Sequence, residues 1–129
     1  MKKDFDNWNE NKKIIDEIGE NKFYHPRDVW WCNLGVNVGF EQDGTGKGYV
    51  RPIVVMKGFS KNVCFVVPLT TSTKQNPYHI DIGMVDGKRA FAIYSQLRLI
   101  DTKRFVKKVD VVNEVMFIEI KKAIRNLFQ

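Results

Sequence analysis

The sequence predicts a β-rich α+β fold: a small antiparallel β-barrel with an N-terminal helix and a C-terminal helix. Three observations carry this. The middle of the chain is a series of short apolar runs separated by Gly, Pro, Asn and Asp, and a helical spacing of apolar residues flanks it at each end. With 129 residues, 43% of them hydrophobic, the chain is sized for one ordinary core. A single domain is therefore expected over 1–129, with 1–22 a helical extension, 27–109 the barrel and 110–129 the closing helix.

Each element has its own warrant. Near the start, Trp8, Ile14, Ile15 and Ile18 share one side of a helical wheel, with Asp4 or Asp6 as cap and Gly19 as stop. After Pro26 the pattern shortens to strands at Asp28–Leu34, Val50–Met56, Asn62–Pro68, His79–Ile82 and Arg89–Tyr94, five or six in all. Pro52 has no N–H to give a ladder, so its strand should lie at an edge or pair there through its other side. The segment Asp43-Gly44-Thr45-Gly46-Lys47-Gly48 predicts a mobile loop. No Lys-Ser/Thr pair follows it and no helix opens after it, which sets aside a nucleotide-binding phosphate loop. Val112, Met116, Phe117, Ile120, Ile124 and Leu127 lie on one arc of a helix from about Val111 to Phe128, with Asp110 as its N-cap.

Composition narrows the function classes. No apolar run is long enough to span a membrane, and the start of the chain turns polar where a secretion signal needs an apolar stretch, so a cytoplasmic protein is expected. Cys32 and Cys64 sit in apolar surroundings without metal-ligand spacing; core thiols are expected, with no metal and no cofactor. The net charge is +6, and its distribution matters more than its size. Residues 1–43 carry six Lys/Arg against nine Asp/Glu, whereas Gly44 to Ile80 carries five and no acid. A cationic strip of this kind suits a polyanion, either nucleic acid or an acidic protein segment.

Within that strip Arg51 and Thr70 stand near strand ends. A guanidinium grips two phosphate oxygens and a hydroxyl donates to a third, which is what metal-free cleavage of RNA asks for as the phosphate becomes five-coordinate. Glu41, just before the glycine-rich loop, is a candidate to orient Arg51 through an ion pair. His25 and His79 raise a paired acid and base, but one precedes a proline in a turn and the other alternates with Ile80 and Ile82; both read better as polar face residues.

Five stretches, in order, resemble the PemK/MazF toxin family: Trp30-Trp31-Cys32-Asn33-Leu34-Gly35; Gly39-Phe40-Glu41-Gln42; Arg51-Pro52-Ile53-Val54-Val55; Val67-Pro68-Leu69-Thr70-Thr71; and Ser95 to Arg104, which is similar to a Gln-x-Arg-x-Ile-Asp-x-x-Arg segment. The resemblance covers about residues 27–128. It implies an SH3-like barrel, a homodimer, cleavage of single-stranded RNA at short sequence motifs through 2′-hydroxyl attack, and neutralisation by an antitoxin, here expected to be acidic. The implied catalytic residues are Arg51, Thr70 and Glu41. The implied RNA-binding residues are Gln42, Lys47, Thr71, Lys74, Ser95, Gln96 and Arg98. Two positions depart from the family: Ser95 stands where many members have a carboxylate, and Phe40 where some have an imidazole, so a proton-transfer scheme built on those groups does not carry over. The alternative is a catalytically degenerate member whose barrel only binds RNA or an antitoxin.

Overall fold

The structure is a computed structural model, and it describes residues 21–35 and 50–129. Seven strands follow in order: β1 (Asp28–Asn33), β2 (Val50–Gly58), β3 (Val63–Thr70), β4 (His79–Val85), β5 (Lys88–Ile93), β6 (Arg98–Asp101) and β7 (Phe105–Val111). Short 3-10 turns flank β6 at Tyr94–Gln96 and Thr102–Arg104, and one helix, α1 (Glu114–Asn126), follows β7. The sheet runs β4-β5-β3-β2-β1-β7, all described pairings being antiparallel, with β6 added beside β3. It is the curled β-rich half-barrel with a C-terminal helix that the sequence predicts. The expected N-terminal helix lies outside the described residues.

Burial explains why β2 and β3 read as nearly continuous apolar runs. Val54, Met56, Val67 and Leu69 pack into one core with Ile82, Ala92, Phe117 and Ile120, so α1 closes that face. Ile53, Val55, Cys64 and Val66 point the other way, into a second core with Trp30, Cys32, Leu34, Ile100 and Phe105. A strand covered on both faces has no polar side to alternate with. The two prolines fit this sheet for different reasons. β2 is an interior strand, but Pro52 pairs with Trp31 of β1, while its register with β3 starts only at Ile53. Pro68 falls in the gap where β3 passes from β6 (last partner Val66) to β5 (first partner Leu69), a place where a missing N–H is tolerated.

The end of the chain differs from expectation. β6 and β7 were not anticipated, because their residues are largely charged or half-exposed and only scattered positions, such as Ile100 and Phe105, are buried. Asp110 does not cap α1. It sits in β7 and accepts the Asp86 N–H (2.9 Å), tying the β4–β5 turn to the far edge of the sheet. Asn113 is the cap, accepting from Met116 N at 2.8 Å. Asp86 and Gly87 both have positive φ, as a two-residue hairpin turn requires. Near β1, Asp28 is buried and satisfied three times: by His25 N (2.9 Å), Trp30 Nε1 (3.4 Å) and Lys108 Nζ (3.2 Å).

Candidate nucleic-acid interface and active site

Arg51 is the second residue of β2 and Thr70 the last of β3, so two antiparallel neighbours bring them to the same end of the sheet. The Arg51 guanidinium donates from Nη1 to the Leu69 carbonyl at 3.2 Å, which fixes it beside the Thr70 peptide. Thr70 Oγ1 accepts the Ser72 N–H at 3.1 Å. That bond holds the oxygen in place and leaves the hydroxyl proton to be given to another acceptor. Both residues, with Thr71, line a cleft of about 400 Å³ whose walls include Trp31, Pro52 and Lys88. A charged donor and a hydroxyl, each anchored by the backbone, have the chemistry to take an anion with little reordering.

A second cationic feature lies around Cys32. Arg104 donates to the Asn33 carbonyl at 3.2 Å, and burial, followed by the charge of Arg98, holds its pKa below the ordinary guanidinium value. The Asp101 carboxylate acts on Arg104 in the opposite sense, so part of this positive charge is already offset. Despite both guanidinium groups, burial pushes the Cys32 thiol up to about 12. Cys64, also buried, is likewise raised to about 12, first by burial and then by Asp101. Both cysteines are free, as expected of core thiols.

Arg51, Thr70 and Thr71 are thus brought together. Arg98 enters β6 opposite Val66, farther along the sheet, and Ser95 and Gln96 occupy the 3-10 turn before it, with Ser95 exposed. Lys74 lines a different cavity beside β4 and β5. Glu41, Gln42 and Lys47 lie outside the described residues. Arg104 was visible only as the last letter of the fifth family-like stretch; the tertiary contact that sets it beside Arg98 has no signal in sequence spacing.

A family model described as PemK-like, MazF-like toxin of type II toxin-antitoxin system matches residues 25–128. The chain belongs to this PemK/MazF family. Members of the family are endoribonucleases. Solved structures agree in fold. MazF from Deinococcus radiodurans superposes with a TM-score of 0.69 at 18% identity, covering 83% of this chain and 97% of that one. MazF in the MazE-MazF complex of the same organism gives 0.65 at 15%, covering 83% and 96%. A mycobacterial endoribonuclease in complex with its cognate antitoxin gives 0.61 at 13%, covering 82% and 95%. No curated protein matches the chain significantly in sequence.

Proposed function

We propose that this PemK/MazF member is a toxin endoribonuclease that cuts single-stranded RNA at short sequence motifs without a metal. The observation that carries the reading is the Arg51 guanidinium, pinned to the Leu69 carbonyl beside Thr70 at the mouth of the cleft. In the proposed step the ribose 2′-oxygen forms a bond to phosphorus while the bond to the 5′-oxygen breaks. The 2′-hydroxyl loses its proton, the departing oxygen gains one, and a 2′,3′-cyclic phosphate remains. Arg51 is assigned to the charge that builds on the phosphate, because a guanidinium keeps its protons. Thr70 donates its hydroxyl to the same group, and Glu41 supplies the supporting carboxylate by family resemblance.

Gln42, Lys47, Thr71, Lys74, Gln96 and Arg98 are proposed to hold the RNA on either side, with Arg104 joining Arg98 on a flanking phosphate. An acidic antitoxin competes for the same cationic surface, a reading supported by the antitoxin complexes of the structural relatives. A second copy of the chain completes the proposed homodimer. Among the described residues no helix is long and apolar enough to cross a membrane; the proposed site of action is the cytoplasm, where mRNA is met. The test is incubation of the purified protein with single-stranded RNA in EDTA, with the ends of the fragments identified. Cyclic phosphate ends in the wild type and intact RNA with Arg51→Ala are expected. Cutting that survives in a folded Arg51→Ala protein refutes the assignment.

Ser95 favours one second reading. It is exposed on the turn where many members have a carboxylate, and a member lacking that group would hold RNA or antitoxin without cutting. Salt-dependent RNA binding with no cleavage over a broad RNA set distinguishes it.

A further inference from the structure

The segment that follows Thr70 leads to a second cavity, which the proposed chemistry does not use. Its volume is about 670 Å³, and Lys74, Gln75, Asn76, His79, Asp81 and Phe91 line it. The sheet register places it: Thr70 of β3 is opposite Phe91 of β5, and Phe91 is opposite Asp81 of β4. Cross-strand partners share a face, so the three form one row, and two strand spacings put Asp81 roughly 10 Å from Thr70. The segment that leaves Thr70 lines the cleft with Thr71 and Ser72 and the second cavity with Lys74 and Gln75, joining the two sites.

The polar groups in this cavity suit a base better than a phosphate. Asp81 is fixed by the Gly83 N–H on Oδ1 (2.9 Å) and Arg89 on Oδ2 (2.7 Å), and the Gly83 bond, joined by the hydrogen bond and charge of Arg89, keeps its carboxyl below the usual carboxylate range. A rigid carboxylate repels phosphate oxygens but accepts hydrogen bonds from base amino groups. His79 Nδ1 is buried with no partner. Orphaned N–H groups are rarer than unfilled lone pairs, so the ring's N–H is assigned to Nε2, a donor for base acceptor atoms. Phe91 supplies an aromatic ring, the surface on which unpaired bases stack, and Lys74 a cation for the adjoining phosphate.

We infer that this cavity is a base-reading subsite for a nucleotide within two positions of the cut, taking a base with an exocyclic amino group and discriminating against uracil. The inference rests on the RNA-cleaving reading above, shares Lys74 with it, and adds His79, Asp81 and Phe91, which that reading does not name. The experiment digests a randomised single-stranded RNA pool with wild type, Phe91→Ala, Phe91→Trp and Asp81→Asn, sequences the cut ends, and also sequences the RNA that each protein retains. The wild type should disfavour uracil at one position near the cut. Asp81→Asn, which gives the site a donor as well as an acceptor, should erase that bias. Phe91→Ala should slow cutting about tenfold or more, as loss of a stacked base does, and Phe91→Trp should restore it.

Cutting by the wild type with no bias against uracil, or a bias unchanged in Asp81→Asn and in folded Phe91→Ala, overturns the subsite and leaves the nuclease standing. If the wild type retains RNA without cutting, the cleavage proposal falls and the retained sequences carry the same test of the subsite. If it neither cuts nor retains RNA, both fall.

Discussion

The two ends of β3 share a strand and almost nothing else. At the Cys64 end the strand itself is sealed, Cys64 being fully buried, although a cavity of about 400 Å³ lies outside it against Tyr24 and Gly58. Tyr24 donates its hydroxyl to the carbonyls of Ser60 and Val63, its ring packs edge-on to Phe105, and β2 and β6 pair on either side. At the Thr70 end the strand runs out between two cavities, and the Arg51 guanidinium holds the Leu69 carbonyl in place. Around Cys64 the strand is closed in by packing, and at Thr70 it opens on the cleft that Arg51 lines with it. Side chains at a strand end can stand near solvent and keep their place when the strand that carries them is buried on both faces a few residues earlier.

Mutations at the two ends should therefore separate activity from stability. The largest effect belongs to the open end: Arg51→Ala should lower RNA cleavage about a hundred- to a thousandfold, the cost of losing one preorganised charge donor, while stability drops by only about 1 kcal/mol, the loss of the bond to the Leu69 carbonyl. An equal loss of both would show the arginine to be structural. At the sealed end, Gly58→Ala should do the reverse. A Cβ there would lie 2.6 Å from the Tyr24 hydroxyl and 2.9 Å from its ring, and overpacking of this kind costs about 1–3 kcal/mol, readable by urea unfolding, with cleavage per folded molecule unchanged. Tyr24→Phe keeps the ring and removes the donor, so a smaller loss of about 1 kcal/mol is expected by the same measurement.

The smallest effect at neutral pH concerns the thiols. Cys32 and Cys64 are raised from the ordinary 9.0 to about 12 in the folded chain. Below pH 9 both states keep their protons and the thiols are silent. As pH climbs from 9 towards 12 only the unfolded chain ionises, so folded stability falls across that window. Iodoacetamide should leave the native protein unlabelled at pH 7, and stability measured against pH should begin to decline above 9. Rapid labelling of the native protein at neutral pH would mean that the sealed end is open.

The same contrast explains what could be read from the sequence. β2 and β3 are legible because burial on both faces writes long apolar runs, whereas Arg51 and Thr70 look bland by composition and stand out only through the family-like Arg-Pro and Pro-Leu-Thr stretches; the structure brings the two to one end of the sheet. β6 and β7 are not legible, since Arg98–Asp101 and Phe105–Val111 bury few side chains and Lys107 and Lys108 lie on a strand at the sheet edge. Asp110 and Asn113 are both good caps three residues apart, and only the bond from Asp86 decides between them. Phe91 and His79 looked like ordinary strand residues. Their neighbourhood with Thr70 comes from three strands whose sequence positions are far apart, and no local pattern records it.

The break in partners at Pro68 has a mechanical side. Among the described residues, hairpin β4–β5 pairs with the rest of the sheet through two residue pairs, Leu69↔Ala92 and Thr70↔Phe91, and the Asp86 N–H bond to Asp110, while Ile82, Val85, Ala90 and Ala92 seat it on the core. So short a ladder leaves the hairpin held by packing more than by hydrogen bonds, and the amides of its outer strand β4 should exchange with deuterium sooner than those of β2. A ribonucleotide lying from Thr70 to Asp81 would bridge that seam and slow the exchange.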